Sequence, residues 1–442
     1  MGFSLRRKAR PYDSEIARLA VPALGTLVAE PLYVLADTAI VGRIGTNELA
    51  GLALASAVLL TVHALTLFLT YGTTATVARL IGAGRQTDAA FQSVQGLWLA
   101  ALLGTGSAIL LFFTGTWFLE LFGGKGEPLA FAERYLGISL IGLPFLLLNL
   151  AGAGAFTGRQ NTKTPLLVAL AGATANLVIE LILVPGLGYG VGASALSTVV
   201  SQIGTGLFLA WAVIRWAGRT GVSLRPNFGA VIKLMSAGRA LILRAVALRG
   251  SFALGTAVAA RIGVAELAAH QVAMQIWGTL SLALDAVAIA GQALTGRWLG
   301  AGDAEQARGA ARRMIELDVW VGVVAAIGLF VAREPLAALF SNDPAVVSAT
   351  AFVLIWAAVS QPLNGYVFAL DGILIGAGDL NYLGKTMAAS AVVFAGLGVV
   401  LMRSGGGLGW LWALITLLML MRAVALWVRW RSDRWVVLGA DT

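Results

Sequence analysis

The stretch RIGTNELAG, residues 43–51, returns almost unchanged as RIGVAELAA at residues 261–269. Six of the nine positions are identical. RLIGAG (79–84) returns in the same way as RWLGAG (297–302), at the same spacing along the chain. This common spacing, which takes residue 43 to residue 261, is called the repeat offset below. Matches that recur at one offset indicate duplication, so the chain is predicted to consist of two homologous halves.

The composition predicts a membrane protein. Of the 442 residues, 58% are hydrophobic and only 12% are charged, whereas a soluble domain carries about 25% charged residues. Uncharged runs occupy residues 49–78, 89–119, 135–158 and 345–370. These runs are far longer than barrel strands, and about 20 apolar residues cross a bilayer as a helix. The fold class is therefore all-α, a polytopic membrane protein.

Turn signals divide the chain into twelve candidate transmembrane helices between residues 14 and 430. With both termini in the cytoplasm, the cytoplasmic connections and tails hold twenty lysines and arginines, and the external connections hold six. This asymmetry follows the positive-inside rule. It also explains the net charge of +9 through anionic headgroups, without nucleic acid.

Six helices in each half mean that both halves enter the membrane from the same side, so the repeats are parallel. Parallel repeats are related by a pseudo-two-fold axis along the membrane normal, a plan known among secondary transporters. The predicted parts are a cytoplasmic tail (1–13), an N-terminal six-helix lobe (14–216), a cytoplasmic linker (217–231), a C-terminal six-helix lobe (232–430) and a second cytoplasmic tail (431–442).

Several kinds of function are excluded or disfavoured. The chain has no cysteine, which excludes disulfides, thiolate metal sites and cysteine nucleophiles. It has no P-loop, no G-x-S-x-G and no H-E-x-x-H motif, so a primary pump or a membrane enzyme is disfavoured. We expect no catalytic residue, no metal site, no organic cofactor and no nucleic-acid partner.

Ionisable residues inside membrane spans are costly and each is a functional hypothesis. In the first half, Asp37 lies in the first span, and Asn176 and Glu180 share a face of the fifth because they are four residues apart. Burial and a neighbouring acid both disfavour the charged form of a carboxyl group. Such acids can bind and release a proton, or they can simply hydrogen-bond between helices.

The second half carries two acids and two bases at membrane depth: Asp285, Asp371, Arg244 and Arg249. If paired, these groups offset one another's desolvation. They could bind substrate or a cation, or they could form a structural ion-pair network, and the sequence leaves both readings open.

Five stretches carry a resemblance to a known family: EPLYVLADTAIVGRIG (30–45), NLVIE (176–180), AAHQVAMQIW (268–277), LDAVAIAGQAL (284–294) and QPLNGYVFALDGILIGAGD (361–379). With them the chain resembles the DinF-like branch of the multidrug and toxic compound extrusion (MATE) family over nearly its whole length. The resemblance implies two six-helix bundles and export of amphipathic, often cationic, compounds.

The same resemblance implies that Asp37, Asn176 and Glu180 form the ion-responsive cluster, although Glu180 stands where the family often has Asp. The implied protein is an antiporter driven by H⁺ or Na⁺, a monomer in the inner or plasma membrane, with small-molecule substrates. A lipid-linked glycan flippase, a small organic-anion exporter and a non-transporting membrane scaffold remain as alternatives.

Overall fold

The computed structural model describes the backbone of residues 3–440 and the side chains of residues 12–440. Over that range the chain is helical with short connections and contains no β-strand, as the composition predicts. The helices are α1 (Phe3–Val41), α2 (Thr46–Thr66), α3 (Phe68–Gly82), α4 (Gln86–Leu121), α5 (Gly126–Ser139), α6 (Leu143–Gly158), α7 (Lys163–Leu181), α8 (Val191–Thr220), α9 (Phe228–Ile262), α10 (Val264–Gly300), α11 (Ala304–Phe340), α12 (Pro344–Gly376), α13 (Leu380–Ser404) and α14 (Leu408–Arg431). A π-helical turn, Ile182–Gly186, follows α7.

Within residues 3–440 these helices form twelve tracts, the number predicted. Helices α2 and α3 make one span, α5 and α6 form a pair bent by 55°, and the π-helical turn extends α7. Ten tracts are long and apolar enough to cross a membrane, and the bent pair is an eleventh. The twelfth, α9, is 35 residues long and carries five basic side chains.

The chain divides into two compact units. The unit Gly25–Gly238 is called the N-lobe below, and the unit formed by Met1–Leu24 and Arg239–Thr442 is called the C-lobe. The sequence places the division in the linker 217–231, whereas these boundaries fall inside α1 and α9. The reason is that α1 and α9 are continuous helices of 39 and 35 residues, so each contributes to both units.

The duplicated phrase RIGTNELAG forms a tight helix-to-helix turn in each half, as the sequence predicts. In the first half α1 ends at Val41 and α2 begins at Thr46; in the second half a single residue, Gly263, separates α9 from α10. The other duplicated phrase ends each time on a glycine in the left-handed region, with φ of 73° at Gly84 and 77° at Gly302. Glycine adopts that conformation without a steric penalty.

The repeat extends into the helix packing. A Cβ atom added to Gly154 on α6 would lie 2.6 Å from the carbonyl oxygen of Thr70 on α3. A Cβ atom added to Gly372 on α12 would lie 2.3 Å from the carbonyl oxygen of Ala288 on α10. Both members of the second pair follow those of the first by the repeat offset, so the two lobes use the same close contact between helix backbones.

The two predicted tails are partly ordered. Helix α1 begins at Phe3, inside the segment predicted as the tail 1–13. After α14 ends at Arg431, the chain folds back onto the C-lobe: the indole of Trp435 is buried and stacks on Trp430, and the amide of Gly439 donates a hydrogen bond to the carbonyl oxygen of Leu299. Residues 1, 2, 441 and 442 of the predicted tails lie outside the described residues.

Candidate ion-coupling site

Two acids and an amide that the sequence singles out lie inside the N-lobe. The side chain of Asp37 on α1 is 6% exposed, and those of Asn176 and Glu180 on α7 are 3% and 0% exposed. Asn176 and Glu180 share a face of α7, as their spacing predicts. Glu180 lies beside Asp37, so the structure brings the two acids into one buried cluster.

Helix α8 supplies hydroxyl groups to this cluster. The hydroxyl of Ser194 donates a hydrogen bond to Oδ1 of Asp37. The amide nitrogen of Asn176 donates to Oγ of Ser197 at 3.2 Å and to Oγ1 of Thr198 at 3.0 Å. Asn176 is therefore bound to α8 rather than to either acid. It fixes the position of α7 against α8, the helix whose Ser194 donates to Asp37.

Glu180 has no comparable support. Both of its carboxyl oxygens are buried without a hydrogen-bond partner, and its neighbours in the cluster are Asp37 and Ser194. Tyr135 on α5 is also buried and lies beside Ser194 and Thr198. A carboxylate buried without a counter-ion is strongly disfavoured, so the negative charge of this cluster is not compensated by a basic side chain among residues 12–440.

The sequence does not single out Ser194, Ser197, Thr198 or Tyr135. Serine and threonine are common at helix interfaces in membranes and carry no charge that would mark them. Their spacing gives a weak signal. Ser197 and Thr198 follow Ser194 by three and four residues, so both lie next to Ser194 on the surface of α8. Their partner on α1 follows only from how the helices pack.

In the C-lobe one carboxylate binds two arginines. Nη2 of Arg244 on α9 lies 2.5 Å from Oδ2 of Asp371 on α12, and Nη2 of Arg422 on α14 contacts the same oxygen. Asp371 and Arg422 are 5% and 4% exposed. The structure thus pairs Arg244 with Asp371, one of the arrangements that the sequence left open, and adds Arg422, which the sequence did not single out.

The other two residues of the predicted network differ in position. Asp285 on α10 is half-buried and lies near both Arg244 and Asp371. Arg249 is exposed and forms no salt bridge with any residue of the described range 12–440. It lies five residues after Arg244, which turns it about 140° around α9, away from the network.

The residues 12–440 contain no group of three or more histidines or acids able to hold a metal ion. What the structure presents instead is an acidic, hydroxyl-lined cluster in one lobe and an acid held by two arginines in the other. The first has the charge to bind a cation. The second already has its charges matched within the network.

The MatE family model matches residues 22–182 and again residues 240–402. The starting points of the two matches are related by the offset of the internal repeat. Together the matches cover well over half of the chain and include every residue of both clusters except Ser194, Ser197, Thr198 and Arg422.

Curated relatives span both plants and bacteria. Protein DETOXIFICATION 44, chloroplastic, of Arabidopsis thaliana is 32% identical over 425 residues, which cover 93% of this chain and 81% of the relative. DNA damage-inducible protein F of Escherichia coli (strain K12) is 30% identical over 443 residues, with 96% of this chain and 94% of the relative covered.

A solved structure described as the outward-facing conformation of a multidrug resistance MATE family transporter of the MOP superfamily superimposes with a TM-score of 0.88. The two chains are 22% identical, and the superposition covers 96% of each. At that identity the likeness establishes the fold, and it agrees with the twelve helical tracts found within residues 3–440.

Proposed function

The chain belongs to the MatE family of multidrug efflux transporters, and we propose that it is a secondary active antiporter exporting amphipathic, cationic organic compounds in exchange for H⁺ or Na⁺. It is a multi-pass membrane protein that transports small molecules and is not an enzyme. We further propose that the two lobes give the substrate access to one side of the membrane at a time.

The observation that carries ion coupling is the pair Asp37 and Glu180. Both acids are buried in the N-lobe, and no basic side chain among residues 12–440 forms a salt bridge with either of them. One carboxyl accepts a hydrogen bond from Ser194, and the other has no donor within that range. Two adjacent carboxyl groups in such a site cannot both stay ionised at low cost, so binding of a cation and its release change the cluster's charge.

The substrate class is inferred from the family and from charge. Relatives include a Probable multidrug resistance protein NorM of Pseudomonas putida, 31% identical over 350 residues. An export site that exchanges an organic cation for H⁺ or Na⁺ needs acidic groups that both can neutralise, and Asp37 and Glu180 supply them. The arginines Arg244 and Arg422 both pair with Asp371, and Asp285 lies beside Arg244, so two acids balance the two bases of this network.

Dye efflux from inverted membrane vesicles tests the coupling, with ΔpH and ΔNa⁺ imposed separately. Wild-type protein is expected to move a cationic dye uphill under one of the two gradients. Asp37→Asn keeps the size of the side chain and is expected to reduce uphill transport to the level of empty vesicles. The control is Asp88→Asn, at an exposed acid paired with Arg85. Wild-type efflux by Asp37→Asn would remove Asp37 from the coupling mechanism.

Alternating access needs a measurement of its own. Exposed positions related by the repeat occur on external turns, Thr46 and Val264, and on cytoplasmic turns, Thr87 and Glu305. Because the chain has no cysteine, each pair can be labelled as a double cysteine variant without background. We expect the external and cytoplasmic distances to change in opposite directions when substrate or pH is varied. Distances that stay fixed through turnover would exclude rocking of the lobes.

The proposed setting is the plasma membrane, the inner membrane in a bacterium, with both termini in the cytoplasm and the protein acting as a monomer without nucleic acid. The excess of lysine and arginine in the cytoplasmic connections supports this orientation. Reaction of the cysteine variants at Thr46 and Thr87 with an impermeant thiol reagent in intact cells tests it. Only the cysteine at Thr46 is expected to react from outside.

A further inference from the structure

A third acid, Asp318, lies deep in the C-lobe and belongs to neither cluster. It occupies the middle of α11, and its side chain is 0% exposed. Both of its carboxyl oxygens are buried without a hydrogen-bond partner among the described residues. Among the C-lobe acids described above, Asp371 has two arginine partners, so Asp318 differs from it in having none.

The helix facing Asp318 is placed too close to offer a side chain at that point. A Cβ atom added to Gly365 on α12 would lie 2.2 Å from the carbonyl oxygen of Asp318. One turn further along α11, a Cβ atom added to Gly322 would lie 2.4 Å from the carbonyl oxygen of Gln361. Backbone packs directly on backbone at the level of Asp318 and one turn beyond it, which leaves no room for bulk water at these contacts.

The charged groups around Asp318 do not compensate it. Helices α10 and α12 pack against α11 and carry Asp285 and Asp371, of which Asp285 lies close enough to interact with Asp318. Beyond them lie Arg244 on α9 and Arg422 on α14. Both arginines bind Asp371 and neither forms a salt bridge with Asp318 among the described residues, so Asp318 is the acid without a counter-ion in this group of five residues.

An ionised Asp318 is therefore strongly disfavoured. The effective cost of burying one ion in a protein interior is several kcal/mol, and within residues 12–440 neither a donor nor a counter-ion reduces it. A metal cation would need several oxygen ligands, and the described residues offer no cluster of three or more acids or histidines. A proton needs only one carboxyl oxygen.

We propose that Asp318 carries a bound proton in the folded protein at neutral pH. The proton is held on one carboxyl oxygen, so Asp318 is a neutral carboxylic acid inside the interface of α11 and α12. Each lobe then has its own protonatable acid, and this holds whether or not the protein couples transport to protons.

Infrared spectroscopy of purified wild-type protein in detergent tests the proposal without any transport step. At neutral pH the wild type is expected to show carboxylic acid C=O absorption that is weaker by one carboxyl group in Asp318→Asn, where the Asp37 and Glu180 cluster still contributes. The matched control is Glu316→Gln, at an exposed acid two residues away on α11, and it should keep the wild-type absorption. A wild-type spectrum identical to that of Asp318→Asn in this region would overturn the proposal.

Stability against pH gives an independent readout. In Na⁺-free buffer the unfolding temperature of the wild type should fall as the pH rises, because the folded protein must lose the proton and bury a charge. Asp318→Asn should fall less. Equal pH dependences of the two unfolding temperatures would contradict the proposal. So would a rise in the wild-type unfolding temperature on adding Na⁺ at fixed pH that is lost in Asp318→Asn, because the ion bound at Asp318 would then be Na⁺.

Asp318→Asn has to fold for these comparisons. If it does not, aspartate labelled with heavy carbon is introduced into protein that carries both Asp37→Asn and Asp285→Asn, where neither of these acids contributes. A labelled carboxylic acid band in that protein is then expected from Asp318. Its absence would overturn the proposal, and because the experiment contains no vesicle or gradient, its failure is separate from a failure of ion-coupled efflux.

Discussion

Arg422 on α14 and Asp371 on α12 are both buried and form a salt bridge. The same carboxylate oxygen of Asp371, Oδ2, also binds Arg244 of α9. One acid thus holds three helices of the C-lobe together. Because two guanidinium groups share a single carboxylate, the acid and the bases should not contribute equally to stability.

Asp371→Asn is expected to destabilise the protein by about 3–5 kcal/mol, since it leaves the buried guanidinium group of Arg422 without its carboxylate partner. Arg422→Met should cost less, because Arg244 still pairs with Asp371 and the repulsion between the two arginines disappears. Thermal unfolding followed by tryptophan fluorescence measures both variants. Equal losses for Asp371→Asn and Arg422→Met would show that the arginines do not share the acid.

Ser194→Ala removes the hydroxyl that donates to Asp37. That hydrogen bond fixes the Asp37 carboxyl group against α8, so without it the carboxyl group is less well positioned in the cluster. The rate of gradient-driven dye efflux is therefore expected to fall below that of the wild type. Ser139→Ala is the control, because Ser139 is also a buried serine of the N-lobe but donates to a backbone carbonyl. Equal efflux rates for the two variants would remove Ser194 from the site.

Gly154→Val and Gly372→Val place side chains against the carbonyl oxygens of Thr70 and Ala288. Each is expected to cost about 1–3 kcal/mol or more through overpacking, and the two losses should be similar because the contacts are equivalent. Thermal unfolding of each variant provides the measurement. Gly106→Ala on α4 is the control: an added Cβ meets nothing within 4 Å there, so we expect a gain of about 0.5–1 kcal/mol.

Trp435→Ala should detach the segment after α14 from the C-lobe. The indole is 1% exposed and its ring centroid lies 5.0 Å from that of Trp430, so its removal is expected to cost about 3–5 kcal/mol. Trp410, 68% exposed, provides the matched control. Limited proteolysis should then cleave residues 432–440 faster in Trp435→Ala than in Trp410→Ala; equal rates would show that the indole does not hold the segment.

The sequence predicts the scaffold well because hydrophobicity, charge asymmetry and an internal repeat are properties of whole segments. It also identifies Asp37, Glu180 and Asp371, since a charge inside an apolar run is conspicuous. The partners of these acids are harder to identify. Ser194 is an ordinary serine until α8 is packed against α1, and the exclusion of Arg249 depends on the rotation of α9 about its axis.

Arg422 and Asp318 illustrate a different limit. Arg422 lies within an apolar run of α14, and Asp318 stands where the charged first part of α11 gives way to its apolar part, so the sequence contains the signal. Its meaning depends on neighbours that are distant in the chain: Arg422 lies 51 residues from Asp371, and Asp318 is distinguished by the absence of any donor to it among the described residues. Only the assembled helices separate a charge that is compensated from one that is not.

The shared glycine contacts have an evolutionary consequence. The repeat offset takes Gly154 to Gly372, but it takes Asp37 to Gly255 and Glu180 to Gly398, and in reverse it takes Asp371 to Ala153. The duplication thus retained the joints between helices and let the interior chemistry diverge. A chimera with the first half of the chain in both positions should still pack its helices. It would carry two acidic clusters and lack the acid that pairs with two arginines.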